Sequence, residues 1–400
     1  MLAAMRTLLA RLGAVVLAAT TLPTSAQQPS ADAAAMIARV EAPQVPNRQG
    51  LDALTLEQVM RRFRVPGASV AVLKDFQIHW AKGYGIADVS SGRAVKTDTP
   101  FQAASISKPV TAMAAMRLAQ DGRFAIDDDV NRHLTSWKVP ESDFTKTQKV
   151  TPRSLMSHTS GADDGFGFPG YEPSAARPGV VQILEGQAPS NVGRVTFARP
   201  PYAAYKYSGG GVTLMQLLLT DLTGEPFAAL MRARVLDPLG MTSSTFEQPP
   251  PDALTARLAH GHNGQGAHGA VAWHVYPEQA AAGLWTTPSD LARFAIEVQQ
   301  AVRGPMGKVL SQASAREMTS PVGSGPFAVG LTVEQRGEGW YFSHGGSNWG
   351  FRCSLVAHVR KGYGVVVMTN GDAGGGMIAE IEARVAAAYG WDSLDKPLMR

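Results

Sequence analysis

Ser105 and Lys108, in the run Ser105-Ile106-Ser107-Lys108, stand three residues apart at the head of a helical pattern. In it Val110, Met113, Ala114 and Leu118 recur before Asp121-Gly122. That spacing puts both side chains on one face of a first helical turn. An ammonium beside a hydroxyl favours the deprotonated nucleophile by its charge, or takes the proton itself where burial lowers its pKa. Helix N-terminal amides favour the developing negative charge. The pattern alone is weak, because Ser393-Leu394-Asp395-Lys396 repeats it near the end of the sequence. Company separates the two. Downstream of Ser105 come Tyr207-Ser208-Gly209-Gly210-Gly211 and then His344-Gly345-Gly346-Ser347. A cationic lysine lowers a neighbouring phenol's pKa, normally about 10, toward general-base range, which makes Tyr207 a proton carrier. Glycines after a β-rich run leave backbone amides open to a ligand, so the N–H groups of Ser347 and Ser105 suit a tetrahedral oxyanion. Acyl transfer of this kind requires no metal and no organic cofactor.

The elements that must position these groups are legible in outline. From Gly67, two β-rich runs flank a polar turn at Lys74 to Phe76, which is a hairpin pattern. Near the other end FAVGLTVEQ, WYFSHGG, GFRCSLVAHV and GYGVVVMTN form four more, divided by turns such as RGEGW and RKGYG. Between the two groups lie helical patterns, the one that begins at Ser105 to Lys108 and VTLMQLLLTDLTG, which stops at Gly224. The order predicts an α+β fold, an antiparallel sheet built from both chain ends with a helical lobe inserted and a cleft between them. The sheet lobe is expected over about 45–100 and 300–400, and the helical lobe over about 101–299. Gly161 to Pro201 is rich in Gly and Pro and too long for a plain connector, so it is expected to wall the site.

Composition bounds the remaining readings. The chain has 400 residues, 44% hydrophobic and 18% charged, with 41 Gly and 26 Pro, which describes a loop-rich globular protein with ample room for a buried site. The formal charge is only +4, of which Arg6 and Arg11 supply two, and no basic stripe is interleaved with aromatics. Nucleic acid is therefore not an expected partner. Arg6 and Arg11 precede an uncharged run from Leu12 to Leu22 and then Thr24, Ser25 and Ala26, the layout of a signal peptide over residues 1–26. No later stretch is long enough to span a bilayer, so the expected protein is residues 27–400, periplasmic or secreted from a bacterium and without stable membrane insertion. Cys353 is the only cysteine, and its alternation with Phe351 and Leu355 marks it as a buried filler. His260, His262, His268 and His274 crowd a glycine-rich stretch but match no zinc spacing, and a solvated loop is expected there. His158 is left outside the immediate surroundings of the reacting atoms. No serine has glycine both two before and two after it, so the nucleophile elbow of an α/β-hydrolase is absent.

Taken in order, the motifs resemble those of class C serine β-lactamases, penicillin-binding D,D-peptidases and related esterases, which run Ser-x-x-Lys, Tyr-x-Asn, Lys-Thr-Gly. VPGASVAV at Val65, LMSHTSG at Leu155, LDPLGMTSSTF at Leu236, AAGLWTTPSDLARF at Ala281 and GYGVVVMTNGD at Gly362 extend the resemblance over nearly the whole chain after residue 26. It implies that Ser105 is acylated, Lys108 is its proton partner, Tyr207 is the general base, and His344, Gly345, Gly346 and Ser347 form the strand edge lining the substrate. The implied fold is a helical lobe beside an antiparallel sheet flanked by helices. Two departures stand out: Gly209 replaces an Asn that hydrogen-bonds the substrate amide, and His344 replaces the lysine of lactamases. Loss of a fixed cation and of a directional amide weakens recognition of a carboxylate and an acylamino group. Small-molecule esters, amides or peptides thus come ahead of β-lactams as expected substrates. The alternatives are a β-lactamase proper, a penicillin- or peptidoglycan-binding sensor with little turnover, and, less favoured, metal-dependent hydrolysis through the histidine stretch.

Overall fold

A computed structural model describes residues 29–44, 49–164, 167–337 and 339–391. The expected signal segment, residues 1–26, and the Ser393 repeat of the Ser-x-x-Lys pattern lie outside the described residues. The expected hairpin is β1 (Gly67–Lys74) and β2 (Gln77–Asp88), followed by the short β3 (Arg93–Ala94). Its turn residues Asp75 and Phe76 both take positive φ, the twist that a two-residue hairpin demands. The carboxy-terminal runs become β4 (Thr332–Arg336), β5 (Gly339–Asn348), β6 (Phe351–His358) and β7 (Gly364–Thr369). All seven join one antiparallel sheet in the order β3-β2-β1-β7-β6-β5-β4, with Val70 opposite Val367 where the two chain ends meet. FAVGLTVEQ is strand only from Thr332. Gly330 at φ 82° turns the backbone just before it, so the first half of that run is a tight loop.

Both faces of the sheet are covered, which is why β1 and β7 read as unbroken apolar runs. Ala68, Val70 and Val72 pack with residues of α1 (Ala31–Glu41), α2 (Leu56–Phe63) and α6 (Gly374–Tyr389), while Ala71 and Leu73 face the larger core. On that second face lies α5 (Pro288–Arg303), which packs on β1, β2 and β7 and runs across the expected lobe boundary at 299. The expected helices are α3 (Ser107–Gln120) and α4 (Gly209–Thr223), the latter ended by Gly224 in the left-handed region. Helix α3 is buried on nearly every side from Ser107 to Met116, so short residues such as Ala112, Ala114 and Ala115 let it thread between sheet and helical lobe.

Candidate active site

Ser105 sits in a single 3₁₀ turn, Ala104–Ile106, immediately before α3. The expected first α-helical turn is therefore a tighter one. Its cause is Ala104, a non-glycine residue held at φ 48°. Ser107 Oγ pins it from behind, donating to Ala104 O at 2.6 Å and accepting from Leu284 N–H at 3.0 Å. Lys108 Nζ donates to Ser105 Oγ at 2.9 Å and to Ala281 O at 2.9 Å. Burial pushes the Lys108 ammonium down to about 7 against the pull of Asp164. The Tyr207 ring lies under that nitrogen, 5.0 Å from its centroid, and its phenol is hydrogen-bonded with Ser105. The expected lowering of the Tyr207 phenol is reversed: desolvation raises it, and the lysine is the group that has moved toward neutrality.

Strand β5 brings the other half of the site. Strand β4 pairs only with Gly339 to Ser343, so the outer edge from His344 to Asn348 is left to face the Ser105 turn. Asn348 opposite Phe351 closes a two-residue turn, which places the Gly346 backbone in the ladder and turns the Ser347 N–H to that outer edge. Gly346 is required here, because a Cβ would lie 2.2 Å from Ala103 O and 2.3 Å from Cys353 Sγ. Cys353 is buried as expected and donates its S–H to Ala103 O at 2.9 Å, directly behind the nucleophile turn. Gly345 is different: a Cβ there meets only Cys353 O, at 3.8 Å. Asn348 fastens the strand end, donating to Gln102 Oε1 at 2.9 Å and to Ala282 O at 3.1 Å.

The start of α4 supplies the third wall. Ser208 caps it by accepting from Gly211 N–H at 2.7 Å and donating to Asp164, whose carboxylate also accepts from Gly210 N–H. Burial raises the Asp164 carboxyl. His158 Nδ1 accepts from Ser208 N–H at 3.1 Å, and its ring lies 4.3 Å from that of Tyr207. It thus bonds backbone, in line with its exclusion from the reacting groups, and also props the phenol. Ser105, Lys108, Tyr207 and the His344 to Ser347 edge are brought together, an arrangement suited to a serine nucleophile, a base and two convergent amides.

The profile of the Beta-lactamase family matches residues 53–389. The chain belongs to the Beta-lactamase family. Esterase EstB of Burkholderia gladioli is 27% identical over 346 residues, covering 79% of this chain and 80% of that one. Penicillin-binding protein 4 of Amycolatopsis lactamdurans is 28% identical over 339 residues, 81% and 84% of the two chains. In fold it is similar to the D-amino acid amidase of Ochrobactrum anthropi SV3, with a TM-score of 0.67 at 21% identity over 90% of this chain and 98% of that one. This Beta-lactamase family member is a serine hydrolase of the β-lactamase, D,D-peptidase and esterase type.

The two departures in this Beta-lactamase family member now have surroundings. A Cβ on Gly209 would lie 2.7 Å from the ring of Phe168, so the ring fills the space beside that position. His344 is 4% exposed, donates from Nδ1 to Gly345 O at 2.7 Å and has no protein partner at Nε2. Burial and the nearby Lys108 push its imidazole down to about 3, so it is neutral. A cleft of about 820 Å³ has Ser347, Trp349, Phe168 and Val195 in its lining. Gly161 to Pro201 thus walls the site as expected. Among the described residues no group of three or more His, Cys, Asp or Glu is arranged to hold a metal ion. His262, expected in a solvated loop, is instead wholly buried and bonded to Asn370 O at 2.7 Å, while His274 stacks on Trp349 at 4.9 Å.

Residues missed from the sequence are Asp164, Phe168 and Asn348. The first two lie in a glycine-rich loop with no periodic signal, and Asp164 reaches the start of α4 from 45 residues away, so nothing local marked either.

Proposed function

We propose that this protein is a secreted serine hydrolase cleaving ester or amide bonds through an acyl-enzyme on Ser105. The observation that carries the reading is the Lys108 Nζ to Ser105 Oγ contact of 2.9 Å, made by a buried lysine whose ammonium is pushed down to about 7. Neutral Lys108 takes the Ser105 proton as Oγ bonds to the substrate carbonyl carbon, and the N–H groups of Ser105 and Ser347 hold the resulting oxyanion. Collapse of that intermediate breaks the bond to the leaving oxygen or nitrogen. That atom receives the proton from Lys108 by way of the Tyr207 phenol, which burial keeps protonated. Water then attacks the acyl carbon, gives its proton to the same pair, and restores the Ser105 hydroxyl as the acid departs.

Several features support this choice among the chemistries of the family. EstB is named an esterase and the O. anthropi protein an amidase. Gly209 and neutral His344 lack the amide and the fixed cation that would favour an acylamino carboxylate. The Arg6 to Ala26 pattern supports export, and residues 27–400 are proposed as one hydrolase domain. Among the described residues no helix is long and apolar enough to cross a membrane. Steady-state turnover of p-nitrophenyl acetate tests the proposal. It should exceed one equivalent in the wild type and fall by a factor of about 10⁴ or more in Ser105→Ala with circular dichroism unchanged. A burst of one equivalent without turnover would instead mean an acylated sensor.

A further inference from the structure

The cleft beyond Ser347 is built differently from the end of the site at His344. Tyr207, the group placed to protonate a leaving atom, lies toward His344, their rings 6.2 Å apart. The leaving group therefore occupies that end, and the acyl chain runs the other way, past Ser347 into the cleft toward Trp349. The acyl side is walled by Phe168, Pro169, Ile183, Val192, Val195 and Trp349. The Trp349 ring is held rigid by His274, stacked 4.9 Å away at 16° and itself anchored to Pro169 O.

The charges that line the cleft are already engaged. Arg352 bonds Asp372 at 3.0 Å and Asn348 O at 2.7 Å, and Arg194 bonds Glu185 at 3.1 Å. Asp163 pairs with Lys206, and Asp164 is held by Ser208 Oγ and Gly210 N–H. A substrate carboxylate entering here would lose hydration and have to compete with Asp372 and Glu185 for the guanidiniums of Arg352 and Arg194. An amide group beside the scissile carbonyl would meet the Phe168 ring, where position 209 contributes no side chain.

On the acyl-enzyme reading above, we infer that Phe168 sets acyl specificity: its ring makes the acyl side an aromatic slot for an uncharged, apolar acyl chain and disfavours one bearing a carboxylate or an amide. Three p-nitrophenyl esters of matched chain length test this, the pentanoate, the hydrogen glutarate and the N-acetylglycinate, with the acetate as a control that does not reach the slot. In the wild type kcat/KM for the pentanoate should exceed each of the other two long esters by about tenfold or more, after subtraction of uncatalysed hydrolysis. Phe168→Ala should lower the pentanoate value about tenfold more than it lowers the acetate value. Phe168→Leu, which keeps apolar surface and guards against a misfolded alanine variant, should retain the pentanoate preference. Equal kcat/KM for the three long esters, or equal losses on acetate and pentanoate in Phe168→Ala, would overturn the inference. Absence of Ser105-dependent turnover of the acetate would overturn the acyl-enzyme reading itself, and this inference with it.

Discussion

At the scale of single residues, the account turns on which group holds the proton of Ser105. Lys108 is cationic below about 7 and cannot accept a proton there, whereas above that value it is neutral and can. The kcat/KM for a neutral ester should therefore rise with pH, bend near 7 and level off. A bend near 10, where an ordinary lysine titrates, would contradict the burial argument. Lys108→Arg keeps the charge but cannot release a proton, and it should cost a factor of about 10² to 10⁴ in kcat. Ser105 and Lys108 were legible from their three-residue spacing, and Tyr207 and the His344 to Ser347 edge from the order in which their motifs follow it. The direction of the Tyr207 shift was not, since burial is set by His158 and Phe327, which reach it through tertiary packing. Phe168 escaped for the same reason: nothing local announces that a ring will fill the space beside Gly209.

At the scale of elements, activity depends on how closely strand β5 approaches the 3₁₀ turn that carries Ser105. Gly346 makes that approach possible, and Gly346→Ala must push the strand or Ala103 aside. The displaced Ser347 amide would then stand too far from the oxyanion. Loss of one such donor costs about 10² to 10³ in kcat, so a decline of that size is expected in Gly346→Ala, with KM changed much less. Retention of full activity would remove Ser347 from the oxyanion role. The hairpin, the carboxy-terminal meander and helices α3 and α4 were readable from alternation and helical periodicity. The 3₁₀ turn was not, because Ala104 is held in its unusual conformation by Ser107 and its partner Leu284, which is remote in sequence. The late start of β4 depended likewise on the bend at Gly330, where a Cβ would lie 2.4 Å from that of Ala112.

For the whole molecule, the joining of both chain ends in one sheet was legible from where the β-rich runs cluster. What locks those ends together was not. Arg384 and Glu380 on α6 form a fully buried pair at 2.8 Å, and the guanidinium also donates to the carbonyls of Val40, Ala42, Leu51 and Leu54. Arg384→Ala leaves a buried carboxylate and four carbonyls without this donor. It should cost about 3–5 kcal/mol in denaturant unfolding, and a loss below about 1 kcal/mol would show that the pair is not a structural clasp. The central claim, an activated Ser105, is tested most directly by the intact mass of the protein after treatment with a fluorophosphonate, followed by peptide mapping of any adduct. A single adduct on Ser105, absent in Ser105→Ala, is the expected result. An adduct on another serine, or none on a folded protein, would contradict it.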